Sequence, residues 1–167
     1  MFKIKVANLH WIDNQDGAED KCLHGHAWVQ IGDEILEFEN ATVSATAFYL
    51  LKSLERSDPN DYRLGIQYLP CCGFDMLFWQ GEVVICGCPN GVDWLVYHED
   101  GMIRLVTENH HETIIPFEEY QKTVCAFADE IEAFYQNAKE KVLDDEEERE
   151  VYTAFWKEWH QIRAKFA

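Results

Sequence analysis

Basic residues are scarce in this chain: 14 lysines and arginines stand against 31 aspartates and glutamates, for a formal net charge of −17 and a pI near 4.6. A field of that sign repels nucleic-acid phosphates and anionic membranes, and it speeds encounter with basic partners. Direct nucleic-acid binding is therefore disfavoured. The acidity is no detachable tail, because residues 1–112 carry 18 acids against 7 bases and residues 113–167 carry 13 against 7. Long apolar runs are missing too. None approaches the roughly 18–20 residues of a membrane helix, and the start MFKIKVANLHWIDN has no apolar signal core behind a basic stretch. The expectation is a soluble, cytoplasmic protein with no membrane partner.

Catalytic signatures are also wanting. There is no CxxC, HExxH, P-loop, GxGxxG or GxSxG in a context that would support it. No internal repeat or linker divides the chain, so 167 residues read as one domain with a sizeable core. A core of that size needs no covalent staples, and the six cysteines are expected to be reduced and mostly buried.

What is present reads as strands, a helix, more strands and two helices. FKIKVANLHWI (2–12) alternates as a first strand, followed by the acidic loop DNQDGAED (13–20). CLHGHAWVQI (22–31) and ILEFE (35–39) flank a short hairpin connection. In VSATAFYLLKSLERS, Val43, Ala47, Leu50, Leu51 and Leu54 fall at helical spacing, with Thr42 or Ser44 suited to cap the start. Strands resume at Ile66–Leu69, and a meander follows through FDMLFWQ, EVVICGC, VDWLVYH and MIRLVT.

Two helices finish the chain. From Pro116, expected at a first helical position, a stripe runs through Phe117, Tyr120, Val124, Phe127, Ile131, Phe134, Tyr135, Ala138 and Val142. Asp144 or Asp145, with Glu147 or Glu148 three residues on, predicts a capping box for the last helix. Its stripe is Val151, Phe155, Trp159, Ile162 and Phe166, widened by Tyr152 and Trp156. The expected fold is α+β: a mainly antiparallel sheet with one inserted helix and two C-terminal helices packed on one face.

Candidate chemistry sits first in CLHGHAWVQI. Alternation puts Leu23, Ala27, Val29 and Ile31 on a core face and Cys22, His24, His26, Trp28 and Gln30 on the other. Cys22, His24 and His26 are then metal-ligand types on one face, needing a fourth group from a neighbouring strand. The alternative is the half-polar outer side of a sheet, with no metal or other cofactor. Cys71 and Cys72 in LPCCGFDM, and Cys86 and Cys88 in CGC, are either thiols for catalysis, redox or metal binding, or small packing residues at turns. Asp93 is a candidate base or a receiver of turn hydrogen bonds. His98 is titratable near a turn, and His10 and His160 stand in apolar stretches. The loop acids Asp13, Asp16, Glu19 and Asp20 are clustered, polar and expected to be exposed, which suits them to steering a basic partner.

With CLHGHAWVQIGDE, VSATAFYLLKSLE, LPCCGFDM, GCPNGVDWLVYHEDG, FADEIEAFY and FWKEWHQIRAKF in view, the chain resembles a family of small bacterial cytosolic proteins. That family is placed among the immunity proteins of polymorphic-toxin or contact-dependent inhibition systems. The resemblance spans most of the chain and implies a role, neutralising a toxin domain such as a nuclease with a basic groove. It carries over no site residues. A thiol- or metal-dependent enzyme and a structural subunit are the competing expectations.

Overall fold

The computed structural model describes residues 1–12, 17–59, 66–71 and 75–167. Its first sheet has the order β1 (Phe2–His10), β2 (His24–Ile31), β3 (Glu34–Ala41), all antiparallel. The register sets Ile4 opposite Val29 and Val29 opposite Leu36, then Val6 opposite Ala27 and Ala27 opposite Phe38. Alternation turns these apolar side chains to one side and leaves Lys3, Lys5, Trp28, Gln30, Ile35 and Glu37 on the other.

Helix α1 (Val43–Ser53) follows β3, as expected. It is buried on all sides, and only Lys52 is partly exposed. Its small residues, Ser44, Ala45, Thr46 and Ala47, let neighbouring elements come close. A buried helix must satisfy every polar group it carries. Ser44 Oγ accepts from the Leu23 amide at 3.0 Å, and the Thr46 hydroxyl bonds back to the Thr42 carbonyl at 3.4 Å. Ser53 Oγ donates to the Leu50 carbonyl at 2.6 Å and meets Tyr120 Oη at 2.7 Å. Thr42 makes no side-chain cap. Its amide is tied instead to the Pro70 carbonyl at 3.1 Å.

Hairpin β4 (Asp75–Trp79)–β5 (Glu82–Cys86) forms a two-stranded sheet around Gln80 and Gly81. Both turn residues have positive φ, 51° and 83°, as a two-residue hairpin loop requires. The outer edge of β5 is closed by α1 side chains in place of another strand. Tyr49 Oη accepts from the Ile85 amide at 2.9 Å and donates to the Ile85 carbonyl, and Lys52 Nζ donates to the Val83 carbonyl at 2.8 Å. Arg56 clamps the hairpin start with two bonds to Glu82, at 2.7 and 2.6 Å.

The third sheet has the order β6 (Trp94–Glu99), β7 (Met102–Thr107), β8 (Glu112–Pro116). The α+β class thus stands, with the strands divided among three small antiparallel sheets. Ile66–Leu69 is no strand, for only Leu69 bridges to Val92. Strand β8 was not anticipated, since five residues with one buried isoleucine, Ile115, are too short a pattern to stand out.

Helices α2 (Phe117–Gln136) and α3 (Glu146–Lys165) both pack on α1. Helix α2 also meets β1, β7 and β8, whereas α3 meets β4 and β5. Pro116 sits one place earlier than expected, as the N-cap of α2. Asp145 caps α3 as anticipated, with the Glu148 amide on Asp145 Oδ1 at 2.8 Å, while the Glu148 carboxylate reaches one residue further back, to the Asp144 amide at 2.9 Å, so the reciprocal half of a capping box is displaced. The α2 stripe stops short of Val142 because the chain leaves the helix after Gln136. There the Val142 amide bonds the Ala18 carbonyl at 2.7 Å.

Two outcomes are expected from these contacts. Tyr49→Phe leaves two buried backbone groups of β5 unpaired and should lower stability by about 1–3 kcal/mol in urea unfolding with an unchanged m-value. A loss within error would mean Tyr49 does not close that edge. Hydrogen bonds from Arg56, partly opposed by burial, hold the Glu82 carboxyl at about 2 against an ordinary 4.5. Because the folded pKa is depressed, this stabilisation is present above about 4.5 and is lost as pH falls toward 2. Glu82→Gln should therefore be less stable at neutral pH and show a flatter stability profile across that window. Unchanged profiles would rule the pair out as a source of acid sensitivity.

Candidate interaction surface

The CLHGH segment does not present one polar face. Register shifts occur in β1 between Ala7 and His10, where Asn8 has φ 54°, and between β2 and β3 at Gly25–Ala27. These irregularities bend the sheet where β2 begins, and the expected outer position of Cys22 and His24 is corrected accordingly. Cys22 lies before the strand and is fully buried. Burial, reinforced by the charge of Asp20, pushes that thiol up to about 12. His24 is also buried, its Nδ1 3.8 Å from Asp20 and its ring 6.1 Å from that of His10. Burial drives its pKa down and outweighs the opposing charge of Asp20. Only His26 faces outward, stacked on Trp28 at 3.7 Å and bonded to Glu37 at 2.5 Å. Among the described residues, no group of three or more His, Cys, Asp and Glu side chains is placed to hold a metal ion.

Of the loop acids, Asp13 and Asp16 lie outside the described residues. Glu19 is exposed. Asp20 is not: its side chain keeps 8% of its surface. One oxygen accepts from the Ile12 amide at 2.7 Å and the other from the Cys22 amide at 3.1 Å. It therefore ties the two sides of the loop together, a structural task that removes it from the exposed set.

The other candidates are mostly braces. Asp93 is buried and accepts from the Tyr68 amide at 3.0 Å. His98 Nε2 meets the Ser53 carbonyl at 2.7 Å, joining β6 to the end of α1. His10 bonds the Asn8 carbonyl within its own bulge, and exposed His160 pairs with Glu132 at 2.7 Å. Cys71, Cys86 and Cys88 are half-buried free thiols, Cys125 is buried, and Cys72 lies outside the described residues. Burial raises the thiol pKa of both Cys86 and Cys125, disfavouring the reactive thiolate.

What sequence reasoning missed is a meeting of two remote acidic segments. The 17–21 stretch docks on the connection between α2 and α3. Lys141 Nζ donates to the Gly17 carbonyl at 2.6 Å and lies 3.2 Å from the Trp11 ring centroid. Tyr135 Oη donates to the Lys21 carbonyl at 2.7 Å, and Lys21 pairs with Glu148. Gly17 is required here, for its φ is 75° and a Cβ would strike the Trp11 ring at 2.3 Å. Exposed Glu19 thus joins Glu140, Asp144, Asp145, Glu146, Glu147 and Glu150 at one end of the molecule. Ile12 and Val142, each about half exposed, add apolar surface there. Beside them a groove of about 400 Å³ opens between α2 and α3, walled by Tyr135, Ala138, Tyr152 and Trp156, with Glu132 and Glu140 balanced by Lys139, Lys141 and His160 at its rim. The signal in the sequence was the extra width that Tyr152 and Trp156 give the α3 stripe, more than one buried face needs.

Compared with protein families, curated proteins and solved structures, the chain matches none. Among the described residues, no helix is long and apolar enough to cross a membrane.

Burial ranks the thiols. Under native conditions at neutral pH, Cys22 and Cys125 should resist a maleimide until denaturant is added, while half-buried Cys71, Cys86 and Cys88 label sooner. Peptide mapping by mass spectrometry reads the order directly. Fast labelling of Cys22 would contradict its complete burial.

Proposed function

We propose that this protein is a specific binding protein that neutralises a basic protein domain, the role of the immunity proteins it resembles. The observation that carries this reading is the uncompensated charge, 31 acids against 14 bases. Six of the described bases, Lys21, Lys52, Arg56, Arg104, Arg163 and Lys165, already pair with the protein's own carboxylates. A large excess of carboxylates is thus left for an outside partner. Support also comes from the candidate catalytic groups, since Cys22, Asp93 and His98 are engaged in internal packing and hydrogen bonding.

The mechanism follows from electrostatics. The negative field draws in a basic domain, and the encounter tightens where carboxylates meet the cations of its substrate groove. A toxin domain that acts on nucleic acid carries such a groove. Covering it blocks access of the substrate without any turnover by the inhibitor. This role places the protein in the cytoplasm, where an incoming toxin domain would act.

The test uses the immobilised full chain to capture proteins from its native host, followed by kinetics with the purified partner. The partner should be basic, its activity should be titrated away by one equivalent, and association should slow at least about tenfold between 0.05 and 0.5 M salt as the Debye length shrinks. Dissociation should change much less. An acidic partner, or association indifferent to salt, would defeat the reading.

A further inference from the structure

The outer face of the first sheet carries its charges in two opposed columns. Register fixes one row as Lys5–Trp28–Glu37 across β1, β2 and β3, and the next as Lys3–Gln30–Ile35. Lys3, Lys5, Ile35, Glu37 and Glu39 are exposed, and Trp28 keeps part of its surface open although the His26 ring stacks on it. Bases therefore line one edge strand and acids the other, with an aromatic side chain between them. Glu37 gives one oxygen to His26 and remains half exposed, at 52%. Among the described residues, Lys3 and Lys5 make no ion pair, whereas Lys21, Lys52 and Lys165 each find a carboxylate within the chain. Two uncommitted lysines are notable in a chain with 31 acids to 14 bases.

We propose that this face binds a second copy of the chain, sheet on sheet, about a two-fold axis running along β2. Such an axis lays each row on its own reverse, as an isologous interface requires. Lys5 then meets the partner's Glu37, Trp28 meets its counterpart at the centre, and the Lys3 methylenes cover the partner's Ile35. An axis across the strands would set lysine against lysine, so the charges select the first arrangement. Packed sheets lie about 10 Å apart, within joint reach of a lysine and a glutamate. The net charge of −17 opposes self-association, but charges further apart than about 8 Å are largely screened in physiological salt, whereas facing pairs are not. Three strands of eight or nine residues cover about 26 by 14 Å, the low end for a specific interface, so the dimer is weak, with a Kd on the order of 10–100 μM.

The test is sedimentation equilibrium of the full chain from about 5 to 500 μM in about 0.15 M salt, where the wild-type chain should show a monomer–dimer equilibrium. Lys5→Glu and Glu37→Lys should each raise Kd at least about tenfold, because each sets like charges against one another at both ends of the row. Mixed in equal amounts, the two variants should associate at least as tightly as the wild-type chain, since every facing pair is then opposite in sign. Misfolded variants would show no such recovery, and circular dichroism checks the fold of each. Trp28→Ala should weaken the dimer at least about tenfold. A chain still monomeric at about 500 μM would overturn the proposal, as would a dimer indifferent to these three changes. Single variants that dissociate without recovery on mixing would overturn the two-fold arrangement. A monomeric chain whose captured partner is lost on Trp28→Ala would give the face to that partner instead. Each of these failures leaves the basic-partner reading standing.

Discussion

The burial of α1 on every side is the constraint on which the rest of the structure depends. An ordinary surface helix needs one apolar stripe, but this one is covered by β2, α2, α3 and the β4–β5 hairpin. Its short residues permit the close approach, and their hydroxyls find partners in the Leu23 amide, in Tyr120 of α2 or in the helix's own turns. Breaking any of those partnerships leaves a polar group in a dry interior, which costs more than the bond itself contributes. The surrounding elements are therefore held in position by hydrogen bonds as well as by packing.

The hairpin shows how far this goes. A lone two-stranded sheet is marginal in water, and its edges invite other strands. Here Tyr49 and Lys52 occupy the edge of β5, and Arg56 secures its first residue through Glu82. Helix and hairpin thus form one unit although more than twenty residues separate them. At the tip, Trp79 remains 64% exposed. Its surroundings include Lys52, Arg56, Asp58 and Glu82, so that face is close to neutral.

The acidic end also reconciles two uses of the same residues. Asp145 and Glu148 build the start of α3, and Asp20 organises the loop beside Cys22. Their neighbours Glu19, Glu146, Glu147 and Glu150 stay exposed. Structural carboxylates therefore hold the free ones in place, and close spacing of like charge is maintained by contacts such as Lys21–Glu148 and Lys141–Trp11. A field built in this way needs no flexible tail.

Local pattern determined a good deal. Alternation in 2–12 and 22–31, helical spacing from Val43 to Leu54, and the stripes of α2 and α3 each reflect which residues can share a face, and that depends only on backbone geometry over a few residues. The α+β class, the inserted helix and the Asp145 cap followed from them. Tertiary structure alone decided that Cys22 and His24 turn inward while His26 stays out, because bulges in the neighbouring strands bend β2 at its start. It alone withdrew Asp20 from the surface and divided the strands among three sheets. It alone brought Glu19 beside the start of α3 and opened an aromatic groove next to both. Those outcomes depend on contacts between segments more than a hundred residues apart, such as Lys21 with Glu148 and Gly17 with Lys141. A period read over a few residues has no term for such contacts, whereas packing around α1 leaves them little freedom.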